Sequence, residues 1–236
     1  MRAFVRVMRA LPSDPRCVVC RAPFGGAGGR IMRRLGFGPS RKNPRLCAEC
    51  FDKGPVGGTR MDVGVLFADV RGFTSLTERR GAEASTALLN RFYAAAVEVL
   101  CRHAIIDKLV GDQVMALYLP QLLGDGAVEH MVLDAQDLLV ASPAELEVGI
   151  GLDYGSAFVG NVGSGEVKDF TAIGDVVNTA ARLQSAAATG EILISRRVLE
   201  VTGDALPGAE PRALELKGKS ELEHVVVLSS TRISAR

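Results

Sequence analysis

Between residues 61 and 162 the spacing of apolar residues changes period several times, and the order of those changes restricts the fold more than any other property of this chain of 236 residues. Val63, Val65 and Phe67 alternate with Asp62, Gly64 and Leu66 as far as Asp69, the two-residue period of a strand. After a glycine turn at Arg71-Gly72-Phe73 and a break near Gly81, Leu88, Leu89, Phe92, Ala96, Val99 and Leu100 recur at helical spacing. Short apolar runs over 104–110 and 114–119 flank Gly111-Asp112-Gln113 and predict a hairpin. A helix over 125–141 follows, then strands over 146–153 and 157–162 on either side of Tyr154-Gly155-Ser156. A further helix over 174–187 and strands over 192–195, 212–216 and 224–228 complete the pattern. Strand, helix, paired strands, helix, strand is a split βαβ arrangement, so the expected class is α+β with a ferredoxin-like centre. Such a sheet brings the end of its first strand and the hairpin turn to one edge, and so brings Asp69 to Asp112.

The chain ahead of this pattern differs in kind. Residues 1–60 carry 13 Lys and Arg against 3 Asp and Glu, a net of +10, whereas the rest of the chain has a net of −9. Four of the five cysteines lie before residue 51. We therefore expect a basic module and linker over 1–58 and a larger acidic domain over 59–236, joined near Gly54-Pro55-Val56-Gly57-Gly58, which cannot hold a helix. Cys17 and Cys20 form one C-x-x-C, and Cys47 and Cys50 a second. Each tight turn offers two thiolates, and the two turns together make a closed tetrahedral site for structural zinc, in a zinc-ribbon-like module. An iron–sulfur cluster uses the same four ligands and is the alternative. The 26 intervening residues are more than the roughly 15–20 of common ribbons, but they are rich in glycine and proline and can loop out. Arg16, Arg21 and Arg45 beside the cysteines would offset the negative charge of four thiolates on a divalent ion. Only Phe24, Phe37 and Phe51 could stack on bases there, so no stable nucleic-acid partner is expected. Cys101, in a helical stretch, is expected to be a small buried hydrophobe.

A hydrophobic fraction of 47% with 23% charged residues excludes disorder for most of the chain. No run approaches the ~18 apolar residues of a membrane-spanning helix, and residues 1–12 lack the apolar core of a secretory signal. The expected setting is therefore the cytoplasm, where disulfides do not suit the cysteines.

Two carboxylates meeting beside a turn that opens a helix make a site for divalent metal and polyphosphate. Each alone is as well explained as a helix cap or a turn residue; the flanking residues decide. Phe67-Ala68-Asp69-Val70-Arg71-Gly72-Phe73-Thr74 resembles the first metal-binding motif of class III nucleotidyl cyclases. Lys108-Leu109-Val110-Gly111-Asp112 resembles the second, and the segment from Asp169 to Leu183, containing Ile173-Gly174-Asp175-Val176-Val177-Asn178, resembles the third. The resemblance runs from about Met61 to Leu228, and three motifs in the right order make it specific.

The resemblance implies an adenylate cyclase that forms 3′,5′-cyclic AMP and pyrophosphate from ATP, with guanylate cyclase, or a silent nucleotide-sensing domain, as other readings. It implies that Asp69, Asp112 and the Val70 carbonyl hold two Mg²⁺ or Mn²⁺ ions, and that amides of Gly72, Phe73 and Thr74 hold the phosphates. Lys108 and Thr171 fall where the family selects the purine; lysine favours adenine, because guanylate-forming members usually carry an acid there. Thr171 stands where many members have Asp. Asn178 would orient the ribose and Arg182 would stabilise charge on the α-phosphate; four residues apart, they share one helix face. Lys217 lies where the family often has a phosphate-contacting lysine. One catalytic domain holding every one of these residues implies a homodimer with two shared sites, with Gly160 to Gly165 resembling the arm that touches the partner.

Overall fold

The computed structural model describes residues 7–8, 14–40, 44–51, 56–124, 126–164, 167–203, 206–215 and 222–229. The chain divides into two compact units, one of Met1–Arg60 with Phe158–Ala172, the other of Met61–Ala157 with Ile173–Arg236.

In the larger unit, β1 (Gly57–Val70, whose first residues belong to the smaller unit) leads into α3 (Phe73–Arg80) and α4 (Ala82–Leu100). The hairpin β2 (Ile105–Val110) and β3 (Gln113–Tyr118) follows, then α5 (Pro120–Leu123), α6 (Ala127–Ala141) and β4 (Val148–Ser164). The end of β4 and nearly all of β5 (Val167–Ile173) belong to the smaller unit, and α7 (Asp175–Ala186), β6 (Glu191–Ser195), α8 (Arg196–Thr202), β7 (Glu210–Leu214) and β8 (Glu223–Ser229) follow in the larger. The sheet order is β2-β3-β1-β4-β6-β8-β7, with β5 pairing β4 off this path. The first four strands in that order are the ferredoxin-like arrangement that the apolar periods predict. β1 and β3 pair antiparallel from Gly64 opposite Tyr118 to Asp69 opposite Gln113. β4 and β6 pair in parallel over Ile150–Leu152 and Ile192–Ile194.

The core follows from the same periodicity. Leu88, Phe92, Ala96, Val99 and Leu100 of α4 and Met131, Val132, Ala135 and Leu138 of α6 are buried with Leu66, Ala116, Tyr118, Ile150 and Leu152 of the sheet. Gly81, with φ of 82°, separates α3 from α4 where the sequence breaks the helical pattern. Cys101 is partly buried against this core rather than enclosed by it.

One expectation changes. The strands on either side of Tyr154-Gly155-Ser156 are one strand, β4, of 17 residues. Gly155 keeps an extended backbone, so a glycine between two polar-edged runs does not turn the chain here. Asp69, near the end of β1, and Asp112, in the turn between β2 and β3, come together at one edge of the sheet, as the connectivity predicts.

In the smaller unit, α1 (Gly26–Arg34) and α2 (Ala48–Phe51) frame the cysteines. The Gly-rich insert does not simply loop out: it forms α1. Gly29 makes that packing possible, because a Cβ there would lie 2.3 Å from the Phe24 carbonyl oxygen. Met32, on the same side of the helix, is buried. Phe51 and Phe170 of this unit pack with ring centroids 5.7 Å apart.

Candidate active site

The register of β1 on β3 fixes the centre of the site. Asp69 pairs with Gln113, and the next amide, Val70 N–H, donates to the Asp112 carbonyl at 3.3 Å. The turn between β2 and β3 is closed by Gly111 at φ of 61°. The Asp69 carboxyl lies above its usual range, first because burial disfavours its charge and next because Asp112 is negative nearby. Arg71 and Gln184 act in the opposite direction. The phenol of Tyr93, which donates to the Gly111 carbonyl, is also raised by burial and by Asp112. A partly buried carboxylate with a second acid beside it is the hard-oxygen donor set a divalent cation relieves.

Chain reversal after Val70 depends on Gly72 at φ of 65°, a left-handed position that needs glycine. α3 begins at Phe73, so the amides of its first turn have no acceptor within the helix. Both facts place Gly72, Phe73 and Thr74 beside Asp69 with donors to offer.

Several neighbours of the acids carry no signal in the sequence pattern. Arg71 lies 3.7 Å from Asp69 and donates to the Gln184 carbonyl on α7. Its Nε is buried without a hydrogen-bond partner among the described residues. Gly149 leaves room for this guanidinium, since a Cβ there would sit 2.6 Å from Arg71 Nε. Gln113 donates to Gln184 Oε1 at 3.2 Å, and Gln184 Nε2, buried without a hydrogen-bond partner among the described residues, lies near enough to Asp69 to draw its carboxyl downward. Gln184 is thus the link between α7 and the acids. It follows directly on the third motif, which does not tell which way its side chain points.

Asn178 and Arg182 both lie on α7, the first exposed and the second half-buried. At roughly 100° per residue they share a face, while Arg182 and Gln184 differ by about 200°. Gln184 faces the acids of its own chain, so the Asn178–Arg182 face turns away from them. The start of α7 is held by Arg197, which bonds Asp175 at 3.3 Å and the fully buried Asp153. Asp153 also accepts from Ser195 at 2.6 Å and from the Tyr154 amide at 2.8 Å.

Lys108 stands on β2, where a bulge between Ile106 and Lys108 interrupts the register, and its ammonium lies 3.5 Å from the buried Asp107. Thr171 is on β5, in the smaller unit. Lys217 lies outside the described residues.

The four N-terminal cysteines do converge: the sulfurs of Cys17, Cys20, Cys47 and Cys50 all lie within 4.8 Å of one another. Cys20 and Cys47 are 3.6 Å apart, and the amides of Cys47 and Cys50 point at the sulfurs of Cys17 and Cys47 at 3.4 and 3.3 Å. Arg21, left-handed at φ of 64°, shapes the first turn. Hydrogen bonds from Cys20, Cys47 and Cys50 pull the Cys17 thiol well down, and hydrogen bonding to Cys17 holds Cys47 and Cys50 up. The four cannot all ionise without a cation among them, so the donor set fits a thiophilic metal.

The fold and site define a nucleotidyl cyclase domain. Residues 58–229 match the family described as the adenylate and guanylate cyclase catalytic domain. The chain belongs to that family. It is 32% identical over 160 residues to the uncharacterised protein Rv1320c of Mycobacterium tuberculosis, an alignment covering 66% of this chain and 26% of that protein. The chain therefore spans only about a quarter of the curated relatives it matches. Among solved structures, the guanylyl cyclase Cya2 matches with a TM-score of 0.68 at 27% identity, over 73% of this chain and 93% of that one. The adenylyl cyclase CyaB from P. aeruginosa matches with a TM-score of 0.58 at 32% identity, over 74% and 97%.

Proposed function

We propose that the chain is an adenylate cyclase, converting ATP to 3′,5′-cyclic AMP and pyrophosphate. The observation that carries the reading is the convergence of Asp69 and Asp112 beside the α3 entry, in a chain whose second motif carries Lys108. Asp69, Asp112 and the Val70 carbonyl would hold two Mg²⁺ or Mn²⁺ ions. Such ions, when bound, activate the attacking hydroxyl and neutralise the departing pyrophosphate.

The chain's own residues position and stabilise. Amides of Gly72, Phe73 and Thr74 hold the β- and γ-phosphates. Lys108 donates to the adenine ring nitrogen and Thr171 accepts from the exocyclic amine. Asn178 orients the ribose so that its 3′-hydroxyl attacks the α-phosphorus in line, and Arg182 balances the charge that develops there. Lys217 contacts phosphate. No side chain has to act as a strong base.

Because the Asn178–Arg182 face turns away from the acids of its own chain, we propose that the chain works as a homodimer in which each site takes these two residues from the other copy. The arm over 160–165 would make part of that contact. The module over 1–58 would hold structural zinc through Cys17, Cys20, Cys47 and Cys50, with an iron–sulfur cluster as the alternative, ahead of a catalytic domain over 59–236. Reduced thiols suit a cytoplasmic setting. Among the described residues no helix is long and apolar enough to cross a membrane.

Turnover of ATP and of GTP with Mn²⁺ tests the reading. Faster formation of cyclic AMP is expected. Faster formation of cyclic GMP would overturn the purine assignment to Lys108 and Thr171, and no turnover of either, with binding retained, would make this a nucleotide sensor.

A further inference from the structure

The cyclase chemistry leaves the outer face of α1 without a role. Residues 15–48 hold eight Lys and Arg and no acid. In α1, Gly29 and Met32 face inward, which turns Ala27, Arg30, Ile31, Arg34 and Leu35, just past the helix, to the outside. Ile31 is 60% exposed and Leu35 63%. Ile31 and Leu35 are four residues apart, as are Arg30 and Arg34, so an apolar ridge runs beside a cationic one. Arg33 adds a third charge, and among the described residues none of Arg30, Arg33 and Arg34 pairs with a carboxylate. An open cleft of about 630 Å³ lined by Phe24, Ala27 and these three arginines continues the surface.

Paired aliphatic side chains of this size gain nothing from lying against water, and a helix face with cations flanking them matches the boundary between headgroups and acyl chains. Nucleic acid fits less well: it would meet the arginines but would leave Ile31 and Leu35 unused, and the face has no aromatic platform for bases. We propose that this face of α1 docks the chain on an anionic phospholipid bilayer, with Arg30, Arg33 and Arg34 at the headgroups and Ile31 and Leu35 inserted between them. The docking is independent of the cyclase reaction and would set where a cyclic nucleotide is released.

Flotation of the full chain with vesicles at 100 mM salt tests this, comparing phosphatidylcholine containing one quarter phosphatidylserine with phosphatidylcholine alone. Binding is expected to the first and not to the second. The triple variant Arg30→Gln, Arg33→Gln, Arg34→Gln should bind about 100-fold more weakly, at roughly fivefold per arginine. The double variant Ile31→Asn, Leu35→Asn keeps every charge and should bind about tenfold more weakly. Circular dichroism checks that both variants fold, and all five positions are solvent-facing. Equal binding by the double variant would overturn insertion, and no flotation of the wild type would overturn the docking. Preferential capture of duplex DNA from the vesicles at the same salt would assign the face to nucleic acid instead.

Discussion

Gly151→Ala separates the packing of α7 from the chemistry it serves. Gly151 lies on β4 beneath α7, in register with Leu193 of β6. A Cβ built there would meet Gln184 N at 2.2 Å, the Ala180 carbonyl oxygen at 2.4 Å and Gln184 Cα at 2.8 Å. All three are helix backbone, so no side chain can rotate out of the way. Restoring ordinary contact, about 3.4 Å, requires α7 to retreat by about 1 Å from the sheet. That shift carries Gln184 away from Asp69 and displaces Asn178 and Arg182 on the same helix. Overpacking of this kind costs about 1–3 kcal/mol. In a unit of this size that lowers the melting temperature by roughly 3–10 °C. A misplacement of about 1 Å lowers turnover by about 100-fold. Thermal melting and initial rates of cyclic AMP formation, measured well below the melting point, read the two effects separately. Wild-type melting and wild-type turnover together would refute the reasoning, since they would mean that α7 does not rest on β4 at Gly151.

Three further outcomes follow from other contacts. Arg197→Ala leaves Asp153 buried without its cation and loosens the start of α7, so stability should fall by about 3 kcal/mol in a denaturant titration; a loss below about 0.5 kcal/mol would show the Arg197–Asp153 pair to be idle. Glu191 holds Arg212 through two bonds of 2.9 and 2.8 Å, which sets its carboxyl below the ordinary value of 4.5. That contribution is complete above the ordinary value and is lost as pH falls through the lower folded one. Glu191→Gln should therefore cost about 0.5–1 kcal/mol near neutrality, the half-exposed arginine being partly screened, and the gap to wild type should close in acid; a gap independent of pH would contradict it. Asp69→Ala and Arg182→Ala, each inactive alone, should regain partial turnover when mixed, because one kind of heterodimer site keeps both residues; no regain in subunits shown to exchange would argue against shared sites.

The strands and hairpin around the acids were legible because apolar period fixes both the element and the face it buries. The pairing of Asp69 with Asp112 followed from connectivity alone. The continuity of β4 through Gly155 was not legible, since glycine is depleted in strands and favoured in turns, and only the pairing with neighbouring strands keeps this one extended. Nor was α1, where a run of glycines reads as loop until Gly29 is seen to admit the Phe24 backbone. Arg71, Gln184 and Gly151 matter through which helix crosses which strand, and that is tertiary information. The facing of Asn178 away from its own chain's acids, by contrast, could have been worked from helical spacing once Gln184 was known to point at them.

Asp69→Asn and Asp112→Asn, assayed for both melting temperature and Mn²⁺-dependent turnover of ATP, reach the central claim most directly. Burial and mutual repulsion make the Asp69 charge costly to the folded chain. Removing either charge should leave the melting temperature unchanged or raised, while turnover falls by about 1,000-fold or more, as expected when groups that stabilise transition-state charge are lost. Turnover retained in either variant would contradict the joint role of these two acids.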